Sequence, residues 1–301
     1  MIAQPPRTSV IAFAWAVLLA ISLGPTVIAQ EVFGQTVTAD THAVAAALVL
    51  IAGLATTVVW VPTRPLRLFF SLFLVLVGAQ WIAYTKVDEL PILAGWLRDS
   101  SFSVYMLSEQ ALNLLVTLAM IAALFALHRD RHVFYLARGD LGAPGEPVGW
   151  LAIRRGDSWS RTGRNLALAI SLGTLAFLVM SGRPSADMLA AALPFVPAIL
   201  LAAALNAFNE EVTYKASFLS VLTGPLGERQ ALRMVAAYFG LAHFYGVPYG
   251  VIGVALAWFL GWILARSMLE TRGLGWAWCI HFLQDVLIFG FLAVGSITPG
   301  G

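Results

Sequence analysis

The stretch LPFVPAILLAAALNAFNEEVTYKASFLSVL, residues 193–222, decides what kind of molecule this is. It is longer than the about 20 apolar residues that a helix needs to cross roughly 30 Å of hydrocarbon. Pro194 and Pro197 fall in its first turns, where proline costs a helix least. Yet Glu210, Glu211 and Lys215 stand in its middle. A charged side chain at the bilayer centre costs about 2.5–3.5 kcal/mol even on insertion scales, so a membrane helix keeps one against a partner or for chemistry.

The rest of the chain belongs to the same class. Of 301 residues, 59% are apolar and 11% charged, against roughly 25% charged in a soluble domain. These values predict an all-α, polytopic transmembrane helix bundle. Nine spans are expected, near 9–29, 42–61, 66–85, 105–127, 164–182, 193–222, 230–248, 249–268 and 274–295. Gly24-Pro25 predicts a kink in the first. Arg7, an apolar run, Val27 and Ala29 also have the order of a signal peptide. The run exceeds the usual core of about 7–15 residues, however, so it reads as a retained helix. The one cysteine, Cys279, excludes an intramolecular disulfide and a multi-cysteine metal site. A net charge of +2 is too small to suggest nucleic acid.

Lysine and arginine placement orients the bundle. With a cytoplasmic N-terminus, Arg7, Arg64, Arg67, Arg129, Arg131, Arg138, Arg154, Arg155, Arg161, Arg164, Arg229, Arg233, Arg266 and Arg272 fall inside. Lys86, Arg98 and Arg183 fall outside, and Lys215 lies within a span. The chain divides into a four-helix region over 1–130 with no assigned role, an arginine-rich cytoplasmic loop over 131–163, and a five-helix region over 164–295. The loop contains GDLGAPGEPVG and reads as a solvated connector.

Ionisable residues are unevenly spread along the spans. In the first four, Glu109, Asn113 and His42 read as helix-packing or interfacial groups. The second half holds Glu210, Glu211 and Lys215 on span six, His243 on span seven, and His281 and Asp285 on span nine, each expected inside its helix. At roughly 100° per residue, Glu211 and Lys215 are i,i+4 neighbours about 40° apart, which suits an ion pair. Glu210 lies about 140° from Lys215 on the same count, on a polar face with Asn206, Thr213, Tyr214 and Ser217. One carboxylate therefore reads as structural and the other as free for chemistry. Asp285 stands i+4 from His281, and His243 stands i+4 from Phe239, whose ring is expected to wall the imidazole.

A carboxylate in a buried site can take a proton from water, a histidine on a second helix can position that water, and donors on a third can stabilise an oxyanion. That is amide hydrolysis with water as nucleophile. Glu and His are also ordinary zinc ligands, so Glu210, His243, His281 and Asp285 are the ligand set if a divalent metal such as Zn is used. No G-x-S-x-G and no H-E-x-x-H occurs. A proton-coupled transporter would use the same Glu and His residues as a relay, but the chain lacks the Gly/Pro-broken helix pairs repeated in both halves that would support it.

Three motifs stand in order on separate apolar segments: E-E-x-x-x-[RK] at Glu210–Lys215, F-x-x-x-H at Phe239–His243, and H-x-x-x-[ND] at His281–Asp285. Over roughly 164–295 the chain resembles the CPBP family, the CAAX proteases and bacteriocin-processing enzymes, glutamic-type intramembrane endopeptidases. The resemblance implies a CPBP-like protease domain whose site lies in a cavity within the bilayer and requires no cofactor. It implies that Glu210 activates water, that His243 helps to position it, and that His281 and Asp285 stabilise the oxyanion or complete the pocket. Glu211, Lys215, Phe239 and Tyr214 would support them. Lys215 stands where the family usually has arginine, which keeps the charge and removes bidentate geometry. Asp285 stands where the eukaryotic CAAX enzymes have asparagine; an ionised aspartate is a poor oxyanion donor, so it either holds a proton or orients His281. The expected partners are a membrane-associated protein or peptide substrate and the lipid bilayer, with no nucleic acid. The expected location is a prokaryotic cytoplasmic (inner) membrane.

Overall fold

The computed structural model describes residues 7–87, 90, 101–128 and 130–297. Arg98 and Arg129 of the charge count lie outside the described residues. The helices are α1 (Thr8–Ile21), α2 (Gly24–Val32), α3 (Ala39–Val59), α4 (Val61–Val87), α5 (Phe102–His128), α6 (Trp159–Gly182), α7 (Ala186–Leu226), α8 (Glu228–Ala242), α9 (Val251–Thr271) and α10 (Gly275–Ile297). Among the described residues there is no strand, only two isolated bridges in the loop before α6.

Seven of these helices, α3 to α7, α9 and α10, are long and apolar enough to cross a membrane. An eighth span arises if α1 and α2, bent by 51° across the Ser22-Leu23 break just before Gly24-Pro25, count as one. The protein is a multi-pass integral membrane protein. Each of the nine expected segments is helical, but the one placed at 230–248 is not a full span. It is α8, which has 15 residues and so rises roughly 22 Å, short of the hydrocarbon thickness. Its end is set by the sequence HFYGVPYG: proline biases the preceding residue away from helix, and Gly250 adopts φ +83°. His243 is consequently not inside the helix as expected but is the first residue beyond it.

The helices before and after the loop share one core. Phe73 of α4 stacks on Phe218 of α7 with ring centroids 3.8 Å apart, and Tyr238 of α8 meets Phe73 edge-on at 5.1 Å. The first region thus packs directly on the helix that carries the two glutamates. The loop itself is docked rather than merely solvated. Asp140 N donates to Thr271 O at 2.8 Å and Leu274 N donates to Ala137 O at 2.8 Å. Glu270, near the end of α9, accepts from Trp159 Nε1 at 2.7 Å and from Glu146 N at 3.2 Å, and pairs with Arg266 at 2.8 Å.

Two glycines bring α8 and α9 into close approach and so fix where His243 sits. A Cβ on Gly240 would stand 2.9 Å from Val254 O and 2.8 Å from Trp258 Cβ, and one on Gly261 would stand 2.9 Å from the Phe239 ring. Gly240→Val should therefore force the hairpin apart and destabilise the fold by about 1–3 kcal/mol. Gly224→Ala, where a Cβ meets nothing within 4 Å, should be nearly neutral; unfolding midpoints in lipid bicelles compare the two.

Candidate active site

The site is built around a change of helix type. α7 is α-helical over Val196–Glu210 and Ser217–Leu226, with a π-helical turn over Glu211–Ala216 between them. A π-turn bonds i to i+5, which shifts the phase of the side chains that follow, and such turns recur at functional sites. Within it, Lys215 Nζ lies 2.7 Å from Glu211 Oε1, and both side chains are fully buried. The pair is an ionic contact without an aligned hydrogen bond, and Glu211 Oε2 makes none. His281 Nδ1, on α10, donates to the same Oε1 at 2.6 Å. The ammonium rests 3.4 Å from the centroid of the Phe239 ring on α8, a cation–π contact that partly replaces lost hydration.

Glu210 faces the other edge of the same imidazole. Its Oε2 is 3.6 Å from His281 Nε2, and Asp285 Oδ1 is also 3.6 Å from that nitrogen. Glu210 Oε2 is buried and has no hydrogen-bond partner, while the side chain as a whole remains 21% exposed. Asp285 is held from the far side, where Asn206 Nδ2 donates to its Oδ2 at 3.1 Å. Both nitrogens of His281 therefore face carboxylates, and the two glutamates share it rather than facing apart.

His243 is held differently. Its Nδ1 lies 2.8 Å from Phe239 O; a carbonyl only accepts, so Nδ1 carries the hydrogen and Nε2 of the neutral ring keeps its lone pair. The Phe239 ring packs on His243 with centroids 4.4 Å apart and meets His281 edge-on at 6.1 Å. Phe239 thus touches elements of all three motifs. No hydrogen bond or ion pair joins His243 to the carboxylates, so it borders the cluster across Phe239.

The π-turn also divides the polar face expected around Glu210. Asn206 stays with Glu210 toward α10. Thr213 turns to α5, where Thr117 Oγ1 lies 3.1 Å from its hydroxyl and donates to Asn209 Oδ1 at 3.0 Å. Tyr214 turns to α4 and accepts from Gln80 Nε2 at 2.7 Å. Ser217 bonds back to Val212 O at 2.7 Å. Asn206 as the partner of Asp285 was missed, although its place four residues before Glu210 signals it; Thr117 and Gln80 have no such signal. Asn113 accepts from Tyr84, and His42 Nδ1 meets Thr26 Oγ1 at 3.0 Å, packing roles of the kind expected. Among the described residues no three His, Cys, Asp or Glu side chains are placed to hold a metal ion. Of the proposed ligand set, Glu210, His281 and Asp285 come together, while His243 stands across Phe239.

Residues 192–287 match the family model described as Type II CAAX prenyl endopeptidase Rce1-like. This segment is similar to the CAAX proteases, a family of hydrolases acting on peptide bonds, and the match supports an intramembrane endopeptidase in general. No curated protein and no solved structure matches the chain. The matched residues hold Glu210, His243, His281 and Asp285, whereas Thr117 and Gln80, which brace α7, come from helices before the match.

Lys215 leans on a single carboxylate, Glu211. Lys215→Met leaves Glu211 buried with only the His281 N–H, and it should cost about 3–5 kcal/mol of stability. Adding Glu211→Gln should restore much of that loss, because the double variant removes both members of the buried pair. Unfolding curves of the two single variants and the double variant in bicelles measure the coupling.

Proposed function

We propose that the protein cleaves a peptide bond in or near a membrane-associated polypeptide with Glu210 as general base. The observation that carries this reading is the division of commitments between adjacent carboxylates. Glu211 is taken up by Lys215 and His281 Nδ1, while Glu210 has a buried oxygen with no hydrogen-bond partner beside His281 Nε2. A carboxylate in that state can accept a proton from water.

In the proposed reaction a water oxygen attacks the scissile carbonyl carbon as its proton passes to Glu210. The His243 Nε2 lone pair accepts from the same water and orients it. The carbonyl oxygen becomes an oxyanion, and Nε2–H of the protonated His281 ring faces it as donor. Collapse of the tetrahedral intermediate breaks the C–N bond, and Glu210 delivers its proton to the leaving amine. Asn206 and Asp285 hold the imidazole at this angle. The end of the bundle where the loop docks, with Arg138, Arg266 and Arg272, is taken as cytoplasmic.

General acid–base catalysis contributes typically about 10²–10⁴-fold, so Glu210→Gln should lower turnover by that order at unchanged protein level. Quantitative proteomics of protein termini in membranes, comparing cells with wild type and with Glu210→Gln, reads this out. Termini present only with the wild type are the expected result; an identical set in both would contradict the reading.

A further inference from the structure

A cleft of about 320 Å³ opens between the first-region helices and the site. Toward α1, α3 and α4 an aliphatic wall with Ile21, Ala43 and Val77 adjoins polar and aromatic residues that include Gln80 and Tyr84; toward α7 and α8 the cleft is lined by Tyr214, Tyr238 and Ala242. The second wall belongs to the site: Tyr214 is one turn beyond Glu210, and Ala242 precedes His243.

His42, Trp81, Tyr84 and Thr85 of this cleft have partners within the protein, but three of its polar atoms keep unused capacity. Tyr238 Oη makes no hydrogen bond among the described residues. Tyr214 Oη accepts from Gln80 Nε2 and donates to nothing, and Gln80 Oε1 accepts nothing. Within a membrane each such group costs free energy unless a ligand meets it. An acyl chain offers no acceptor or donor. A polypeptide opened from its helix for cleavage has the converse deficit, since its amides and carbonyls have left their own partners and have no water to replace them.

We propose that this cleft is a substrate subsite, which holds a short extended segment of the polypeptide beside the scissile bond. Tyr214 and Tyr238 donate to its carbonyls, Gln80 Oε1 accepts from an amide, and the aliphatic wall takes a side chain. The proposal rests on the endopeptidase reading above. It gives the helices before the matched domain a role, because most of the subsite is theirs.

The test is the same proteomic comparison of termini, with two further variants at matched protein level. Tyr238→Phe removes a donor and keeps the volume, and should lower the Glu210-dependent termini about five- to tenfold. Ala43→Phe narrows the aliphatic wall, and should shift the residues flanking the cuts toward smaller side chains. If Tyr238→Phe is silent, the proposal is overturned, whether or not Ala43→Phe has an effect; an effect of Ala43→Phe alone would mean that the cleft takes an apolar chain. Should Ala43→Phe fail to accumulate, the isosteric Tyr238→Phe decides the matter by itself. Absence of any Glu210-dependent termini would instead overturn the endopeptidase reading beneath it.

Discussion

The ion pair between Glu211 and Lys215 is the constraint on which the rest of the site depends. Two ionised side chains with no solvent exposure are tolerated only if the surrounding structure replaces their hydration. Here the replacements come from three helices. α10 supplies the His281 N–H at 2.6 Å, α8 supplies the Phe239 ring at 3.4 Å, and the π-turn of α7 brings the partners to 2.7 Å. Satisfying the pair therefore fixes the mutual placement of α7, α8 and α10. Glu210 and His243 are carried into position by neighbours that already have another duty.

This arrangement separates charge from reactivity over a single residue step. A lone carboxylate at this depth would be driven toward a counter-charge. Glu211 takes Lys215, which leaves Glu210 with a shared view of His281. The imidazole is the hinge of the design: one nitrogen serves the structural glutamate, and the other faces Glu210 and Asp285. The bracing does not come from the matched domain alone. Thr117 ties Asn209 and Thr213 to α5 on either side of the point where the helix widens, and Phe73 stacks on Phe218 one turn beyond it.

Much of this was legible in the sequence because apolar length and i,i+4 spacing are local signals. The nine helical segments, the bend beside Gly24-Pro25, the Glu211–Lys215 pair and the Phe239–His243 contact all follow from them. The misreadings have a common origin in departures from a regular α-helix. A uniform 100° step put Thr213, Tyr214 and Glu210 on one face, and the π-turn sends them to three different helices. An apolar window ran span seven on to 248, while Gly246, Pro248 and Gly250 end the helix at Ala242. The contacts of Thr117 and Gln80 are tertiary, and no spacing within one helix encodes them.

The central claim is that adjacent glutamates divide structure and chemistry between them. Its most direct test is the unfolding midpoint of Glu210→Gln beside that of Glu211→Gln in the same bilayer mimic. The account predicts that Glu210→Gln keeps the wild-type midpoint, because its buried oxygen has no hydrogen bond to lose. It predicts that Glu211→Gln unfolds well below it, because Lys215 is then left buried without a counter-charge. Equal midpoints for both variants, or a lower one for Glu210→Gln, would contradict it.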